Sequence, residues 1–138
     1  MNFFDGHEET VRLERGQSFG IPPPIYQCLA QAAISAWELA GIEPILLEAL
    51  DGRAGAVCTL YGRKHVFQIR VECHFPVPIV CLDIGEMDDP TAFRNVGGGD
   101  AEDFHNWRVI VSSMLEAEGF VGATWEEIEQ WNRDHGFV

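Results

Sequence analysis

The sequence predicts an α+β fold in which an antiparallel β-meander of three to four strands packs against a buried N-terminal helix, with two helices at the C-terminal end. Three observations support this: an apolar segment with helical periodicity, a central region in which apolar residues alternate with a period of two, and two amphipathic segments after residue 100. At 138 residues the chain has the length of one domain, so we expect a single domain over 1–138. Residues 1–24 are irregular, apart from a possible edge strand at 10–15.

The N-terminal helix is predicted over residues 25–41. Its few polar side chains form one narrow stripe, consisting of Gln27, Gln31, Ser35 and Glu38. The three prolines at 22–24 are expected to precede the helix, because proline is excluded from a helix interior. Gly41 suits a left-handed C-terminal cap. The wide apolar arc predicts a core helix that other elements cover.

Four strands are predicted at 45–50, 55–61, 64–73 and 78–84. The first could equally be a short helix that starts at Pro44. For the second hairpin, a two-residue turn at 62–63 is predicted, so that Leu60 faces His65 and Cys58 faces Phe67. We expect the apolar face of this hairpin to pack on the N-terminal helix. That face carries Ala56, Cys58, Leu60, Phe67, Ile69, Val71 and Cys73.

Residues 85–100 show no periodicity and are predicted to form a long loop, a kind of segment that is usually functional or mobile. The glycines at 97–99 are interpreted as a hinge, because their spacing and the acidic residues after them do not suit a phosphate site. A helix is predicted at 101–118 with Asp100 as its N-cap. A last helix is predicted to start at Thr124, with a capping box to Glu127, and to end before Gly136.

The charge balance narrows the classes of partner. There are 22 acidic and 9 basic residues, which give a formal net charge of −13. Such a chain repels phosphate backbones and anionic lipids, so we expect no direct nucleic-acid or membrane binding. The sequence shows no signal-peptide pattern and no apolar run long enough to span a bilayer, which predicts a cytoplasmic location. In that compartment the four cysteines are expected to be free thiols.

These features predict a small acidic interaction protein that binds and inhibits or protects a basic partner protein, for example a nucleic-acid-binding protein. Immunity proteins against nucleases and phage-encoded inhibitors belong to this class. The chain is expected to be a monomer or a homodimer. The predicted partner-binding residues lie in and around the 85–100 segment and are Glu86, Asp88, Asp89, Asp100, Glu102 and Asp103.

Two alternatives remain open. The first is a small enzyme or ligand-binding domain with a pocket between sheet and helices, whose candidate polar residues are His74, His105 and Arg108. The second is a dimeric chaperone, since the size, acidity and element order resemble the small acidic chaperones of secretion systems, although those carry strands after their second helix. No catalytic residue, cofactor or metal site is predicted. The cysteines lack C-x-x-C spacing, and the predicted hairpin puts Cys58 and Cys73 about 20 Å apart.

Overall fold

The computed structural model describes residues 20–50, 54–73 and 76–120, together with positions 126, 130, 133 and 134. Within these residues the chain forms two helices and one five-stranded antiparallel sheet, which confirms the α+β prediction. The elements in chain order are α1 (Pro23–Ala40), β1 (Glu43–Ala49), β2 (Gly55–Tyr61), β3 (His65–Glu72), β4 (Ile79–Glu86), β5 (Asp89–Asp100) and α2 (Phe104–Ala117). The strands lie side by side in chain order and so form a meander, with five strands where three to four were predicted.

Helix α1 is buried over most of its circumference, as predicted. It begins earlier than expected, because Pro22 is the N-cap while Pro23 and Pro24 lie in the first turn. The first N–H groups of a helix have no partner inside the helix, so proline is tolerated there, and the expectation that all three prolines precede the helix is wrong. Gly41 ends the helix in the left-handed conformation, with φ of 66°, which confirms the predicted cap.

Both helices pack on the same face of the sheet, α1 over β1 and α2 over β4 and β5. One hydrophobic core joins the two layers. Its largest fully buried side chains are Tyr26, Phe67, Leu29, Ile42, Leu60, Ile69, Leu82, Ile110, Met114, Leu115 and Val71. Because the two helices also contact each other, their shared boundary runs above the sheet. The opposite face of the sheet is called the outer face.

The β2–β3 hairpin has the predicted faces but a different register. Leu60 pairs with Phe67 and Cys58 with Ile69, and four residues, 62–65, separate the last pair of the hairpin. A shift of two residues returns every side chain to the same side of a strand, so the predicted apolar face is still the one that contributes to the core with α1. The predicted two-residue turn is wrong.

Residues Glu43–Ala49 form strand β1. Of the two alternatives for 45–50, the strand is therefore correct and the short helix is wrong. Strand β1 pairs with β2, for example Leu47 with Cys58. Without it, β2 would be the outermost strand and would leave a row of main-chain N–H and C=O groups unpaired. A short helix at this position would not pair those groups.

Residues 85–100 are not a loop. Strand β4 continues to Glu86, and β5 runs back along it from Asp89 to Asp100 with two irregularities in the pairing. The three glycines lie inside β5, so their interpretation as a hinge is also wrong. At Gly98 the neighbouring backbone is so close that a Cβ atom would lie 2.5 Å from the carbonyl oxygen of Val80. Glycine serves here for close approach rather than for mobility.

Helix α2 begins at Phe104, three residues later than predicted. Asp103, rather than Asp100, is its N-cap and accepts a hydrogen bond from the N–H of His105 at 3.0 Å. Asp100 instead accepts one from the N–H of Glu102 at 2.8 Å and stabilises the turn before the helix. The predicted cap was therefore placed one turn too early.

Two predictions fall largely outside the described residues. The possible edge strand at 10–15 lies wholly outside them. Of the predicted last helix, four positions are described and have helical backbone, namely Glu126, Gln130, Arg133 and Asp134. The remainder of that helix lies outside the described part of the chain.

Candidate functional site

The six predicted partner-binding carboxylates do not form one cluster. The turn group, which consists of Glu86, Asp88 and Asp89, lies at the β4–β5 turn. The helix-start group, which consists of Asp100, Glu102 and Asp103, lies between β5 and α2. Ten residues of β5, 90–99, lie between the last residue of the turn group and the first of the helix-start group. Because Asp89 pairs with Glu86 and Asp100 with Ile79, the two groups are separated by the length of β4, roughly 23 Å, and occupy opposite ends of the sheet.

The turn group lies among basic side chains. Oε1 of Glu86 is 3.9 Å from Nη1 of Arg94 and 3.5 Å from Nε2 of His65. The N–H of Met87 donates to the carbonyl oxygen of Lys64 at 3.1 Å, which joins this turn to the β2–β3 turn and brings the exposed Lys64 side chain to the same end of the sheet. Charges of both signs meet here, so the field of the turn group on a distant partner is weak.

The helix-start group retains its negative charge. All three residues are exposed, and none makes an ion pair with another residue in the described part of the chain. Asp100 and Asp103 accept the main-chain hydrogen bonds of the turn and the helix cap, and these bonds fix the carboxylates without neutralising them. Of the two groups, only the turn group is paired with a basic side chain of the described part of the chain.

Asp83, which the sequence places beside the acidic segment, is paired on the outer face. Its Oδ2 lies 3.6 Å from Nη2 of Arg70, and its Oδ1 accepts a hydrogen bond from Nδ2 of Asn95 at 3.1 Å. Burial would lower the pKa of Arg70, but the charge of Asp83 and contacts with neighbouring side chains outweigh it and raise that pKa. Asp83 therefore adds little to the acidic surface.

A buried carboxylate that the sequence does not single out lies just after α2. The Glu118 side chain is 1% exposed and accepts hydrogen bonds from the N–H groups of Arg63 and Lys64 and from Nδ1 of His65, the last at 2.9 Å. Burial would raise the pKa of Glu118, but the hydrogen bonds from His65 and from the two main-chain N–H groups outweigh it, so that pKa is lowered. No local pattern distinguishes Glu118 from the exposed Glu116 beside it.

This carboxylate also orients the His65 ring. Nδ1 of His65 faces Glu118, and Nε2 faces Glu86. A carboxylate that orients a histidine occurs in catalytic dyads and around metal ions, but either use needs a further reactive group or ligand at the second nitrogen. Here that nitrogen faces Glu86. We interpret the Glu118–His65 pair as a structural link between the end of α2 and the two turns.

The structure describes two of the three residues of the predicted pocket. His74 lies outside the described residues. His105 is exposed on α2, and Arg108 is half-buried with its guanidinium 5.1 Å from the centre of the Phe104 ring. Of these two, Arg108 lines a cavity, and that cavity lies between the helices rather than between sheet and helices.

This cavity, called the helix groove, is a shallow depression of about 20 Å³, which is room for one water molecule. Each helix contributes positions i, i+3, i+4 and i+7, which lie on one helix face. The lining residues are Cys28, Gln31, Ala32, Ser35, Phe104, Trp107, Arg108 and Val111. Gln31 and Ser35 belong to the polar stripe predicted from the sequence, so half of that stripe is buried under α2 instead of facing solvent.

Three of the four cysteines, Cys28, Cys58 and Cys73, are made less reactive by burial. All four are free thiols. Burial raises the pKa of Cys58 to about 12, and burial also raises the pKa of Cys28 and Cys73. A thiol with a raised pKa is a poor nucleophile. Among the described residues, no three His, Cys, Asp or Glu side chains are placed to hold one metal ion.

Comparison of the chain with protein-family models, with curated proteins and with solved structures gives no match. Neither of the described helices has the length and the apolar run needed to cross a membrane. The function is therefore inferred from the charges and contacts of the chain itself.

Proposed function

We propose that this chain is a small acidic interaction protein that binds a basic partner protein and inhibits or protects it. The helix-start group carries the proposal: three of the four residues 100–103 are exposed carboxylates without an ion pair to another described residue. They belong to a chain of net charge −13. Nucleic-acid-binding proteins, nucleases among them, are the class of partner that such a surface favours. A cytoplasmic location is part of the proposal.

Electrostatics supports this choice of partner. A strongly negative chain accelerates the approach of a positive partner and repels the phosphates that compete for it. Arginine side chains bind carboxylates through paired N–H donors. Because main-chain hydrogen bonds already hold Asp100 and Asp103, little side-chain entropy is lost when a partner binds them.

The turn group has a smaller part in the proposal. Arg94 offsets the charge of Glu86, and Lys64 lies at the same end of the sheet. Asp88 and Asp89 remain exposed and can contact the edge of a large partner. We therefore expect the helix-start group to contribute more to partner binding than the turn group, although both consist of carboxylates.

The first experiment is native mass spectrometry of the intact chain purified from the cells that make it. We expect a complex with a protein of basic isoelectric point. A chain that carries no protein, or an acidic one, contradicts the proposal.

The partner found in this way then tests the surface. The triple variant Asp100→Asn, Glu102→Gln, Asp103→Asn keeps the cap, because asparagine caps a helix as well as aspartate does. At low salt its association rate constant should fall about tenfold. The control variant Glu86→Gln, Asp88→Asn, Asp89→Asn removes the same charge and should lose less than about threefold, because Arg94 already pairs with Glu86 and Lys64 lies at the same end of the sheet. Equal losses would show that net charge alone matters and would refute the surface assignment.

A further inference from the structure

Strand β5 forms one edge of the sheet. Among the described residues it has a neighbouring strand, β4, on one side only. In an antiparallel pair, every second residue directs its N–H and C=O groups away from the partner strand. On the open side of β5 these groups can pair with a strand of another chain, which is a common way for an extended segment to bind a sheet.

The two ends of β5 differ as templates for a further strand. Towards its start β5 contains Pro90 and Arg94, and its pairing with β4 is irregular at two places before residue 97. Proline, charge and irregular pairing all hinder the addition of a strand. Residues 97–100, called the edge segment, pair in unbroken order with 79–82. The edge segment begins with three glycines, which allow another backbone to approach closely.

Neighbouring elements hold the edge segment in place. A Cβ atom at position 99 would lie 2.8 Å from Nδ2 of Asn106 on α2, and this Nδ2 donates to the carbonyl oxygen of Asp100 at 2.9 Å. On the other side, position 98 lies close to the backbone of β4. Because the edge segment is already ordered, little conformational entropy is lost there when a strand adds to it.

The edge segment is short, so contacts beyond it decide which strand fits. Before it, Val96 of β5 and Val109 of α2 are 37% and 38% exposed and line one shallow depression of about 30 Å³. This volume is room for a water molecule, so an apolar side chain would lie across the two valines rather than insert between them. At its other end the edge segment runs into the exposed carboxylates of the helix-start group.

We propose that an extended segment of the basic partner adds to β5 at the edge segment. Its lysine or arginine side chains contact the helix-start group, and its apolar side chains lie on Val96 and Val109. The inference rests on the proposed function, because charge complementarity selects the occupant. A second copy of this chain fits less well. If β5 paired antiparallel with itself over its full length, Asp89 would lie opposite Asp100, and like charges directly opposite destabilise a sheet.

Two peptides test the main-chain pairing. Both are acetylated and amidated Arg-Lys-Val-Thr-Val-Thr, and one is N-methylated at its last four residues, which removes main-chain donors and keeps both charges. In an antiparallel arrangement the basic end of the peptide lies beside Asp100. ¹⁵N NMR of the intact chain should show that the unmodified peptide shifts the main-chain N–H resonances of 97–99 as well as those of 100–103, with a Kd of about 0.1–1 mM. The methylated peptide should bind at least about tenfold more weakly.

The outcomes separate this inference from the proposed function. If both peptides bind equally and shift only 100–103, the pairing with the edge segment is refuted, while the helix-start group remains a surface for basic partners. If neither peptide binds, the edge segment is also refuted as a docking site, and mass spectrometry of the native complex still decides whether the partner is basic.

A pair of exposed apolar residues tests the position of the peptide. Val96→Ser should weaken binding of the unmodified peptide by about threefold or more, because it removes the apolar contact before the edge segment. Met87→Ser is the matched control, because Met87 is also exposed but lies at the β4–β5 turn, and the affinity should not change. Equal affinities of the two variants refute the contact with Val96. A homodimer of the chain alone that Val96→Ser dissociates would assign the edge to a second copy and overturn the proposal.

Discussion

Oε2 of Glu118 lies 2.9 Å from Nδ1 of His65, and this contact joins residues that are 53 positions apart in the chain. The same carboxylate accepts the main-chain N–H groups of Arg63 and Lys64, so it completes the β2–β3 turn. Through Nε2 of His65 the link extends to Glu86 at the β4–β5 turn. One buried carboxylate thus connects the end of α2 with both turns at this end of the sheet.

The first prediction concerns the loss of this carboxylate. Glu118→Gln should lower the free energy of unfolding by about 1–3 kcal/mol, because the amide would turn a donor towards groups that are themselves donors. Urea denaturation at neutral pH measures the effect. Glu116→Gln is the matched control, because Glu116 is exposed two residues earlier, and it should change stability by less than about 0.5 kcal/mol. Equal effects in the two variants would contradict the structural role of Glu118.

The second prediction concerns pH. In the unfolded chain the Glu118 carboxyl titrates near its ordinary pKa of 4.5, and in the folded chain its pKa is lower. The stabilisation is therefore fully present above the unfolded value and is lost as the pH falls through the folded value. The difference in unfolding free energy between the native chain and Glu118→Gln should shrink as the pH falls below about 4.5. A difference that stays constant down to about pH 3 would contradict the lowered pKa.

The hairpin shows what alternation predicts and what it does not. Apolar residues at every second position of β2 and β3 identify the face towards the core, and that prediction is confirmed. Alternation repeats every two residues, so it does not distinguish the observed pairing of Leu60 with Phe67 from the predicted pairing with His65. In the observed register, Glu118 accepts a hydrogen bond from the N–H of Arg63, which lies 55 positions away in the sequence. Such a distant contact leaves no local signal.

Strand β5 shows a second limit. The strand lies at the edge of the sheet, where apolar and polar residues need not alternate, and its central glycines carry no side chains. Periodicity therefore does not reveal it. Its hydrogen bonds to β4 define it instead. Because β5 was not predicted, the separation of the acidic residues into two groups was not predicted either. A loop at 85–100 would allow all six carboxylates to meet, whereas a strand holds them apart.

The third prediction tests β5 with adjacent glycines. A Cβ at position 98 would meet the carbonyl oxygen of Val80 at 2.5 Å, whereas a Cβ at position 97 would have no atom within 4 Å. Gly98→Ala should therefore destabilise the protein by about 1–3 kcal/mol. Gly97→Ala should change stability by less than about 0.5 kcal/mol or raise it slightly, because alanine restricts the unfolded chain. Thermal unfolding compares the two variants, and equal effects would favour a slack loop over a paired strand.

The sequence shows which polar residues of α1 share one helix face, but it does not show that half of them are buried. Gln27 and Glu38 are exposed, whereas Gln31 and Ser35 are buried against α2. The helical spacing predicts that these four residues share a face. It does not predict that the helix beginning at Phe104 covers the middle of that face. The helix groove could therefore not be found from α1 alone.

The fourth prediction concerns the energetic cost of Gln31. Gln31→Leu should raise the free energy of unfolding by about 1–2 kcal/mol, because the buried amide nitrogen Nε2 of Gln31 has no hydrogen-bond partner in the described part of the chain and leucine has a similar volume. Gln27→Leu, at the exposed position, should change it by less than about 0.5 kcal/mol. Urea denaturation of both variants makes the comparison. If Gln31→Leu is instead less stable than the native chain, a water molecule in the helix groove satisfies the amide, because the cavity of about 20 Å³ has room for one.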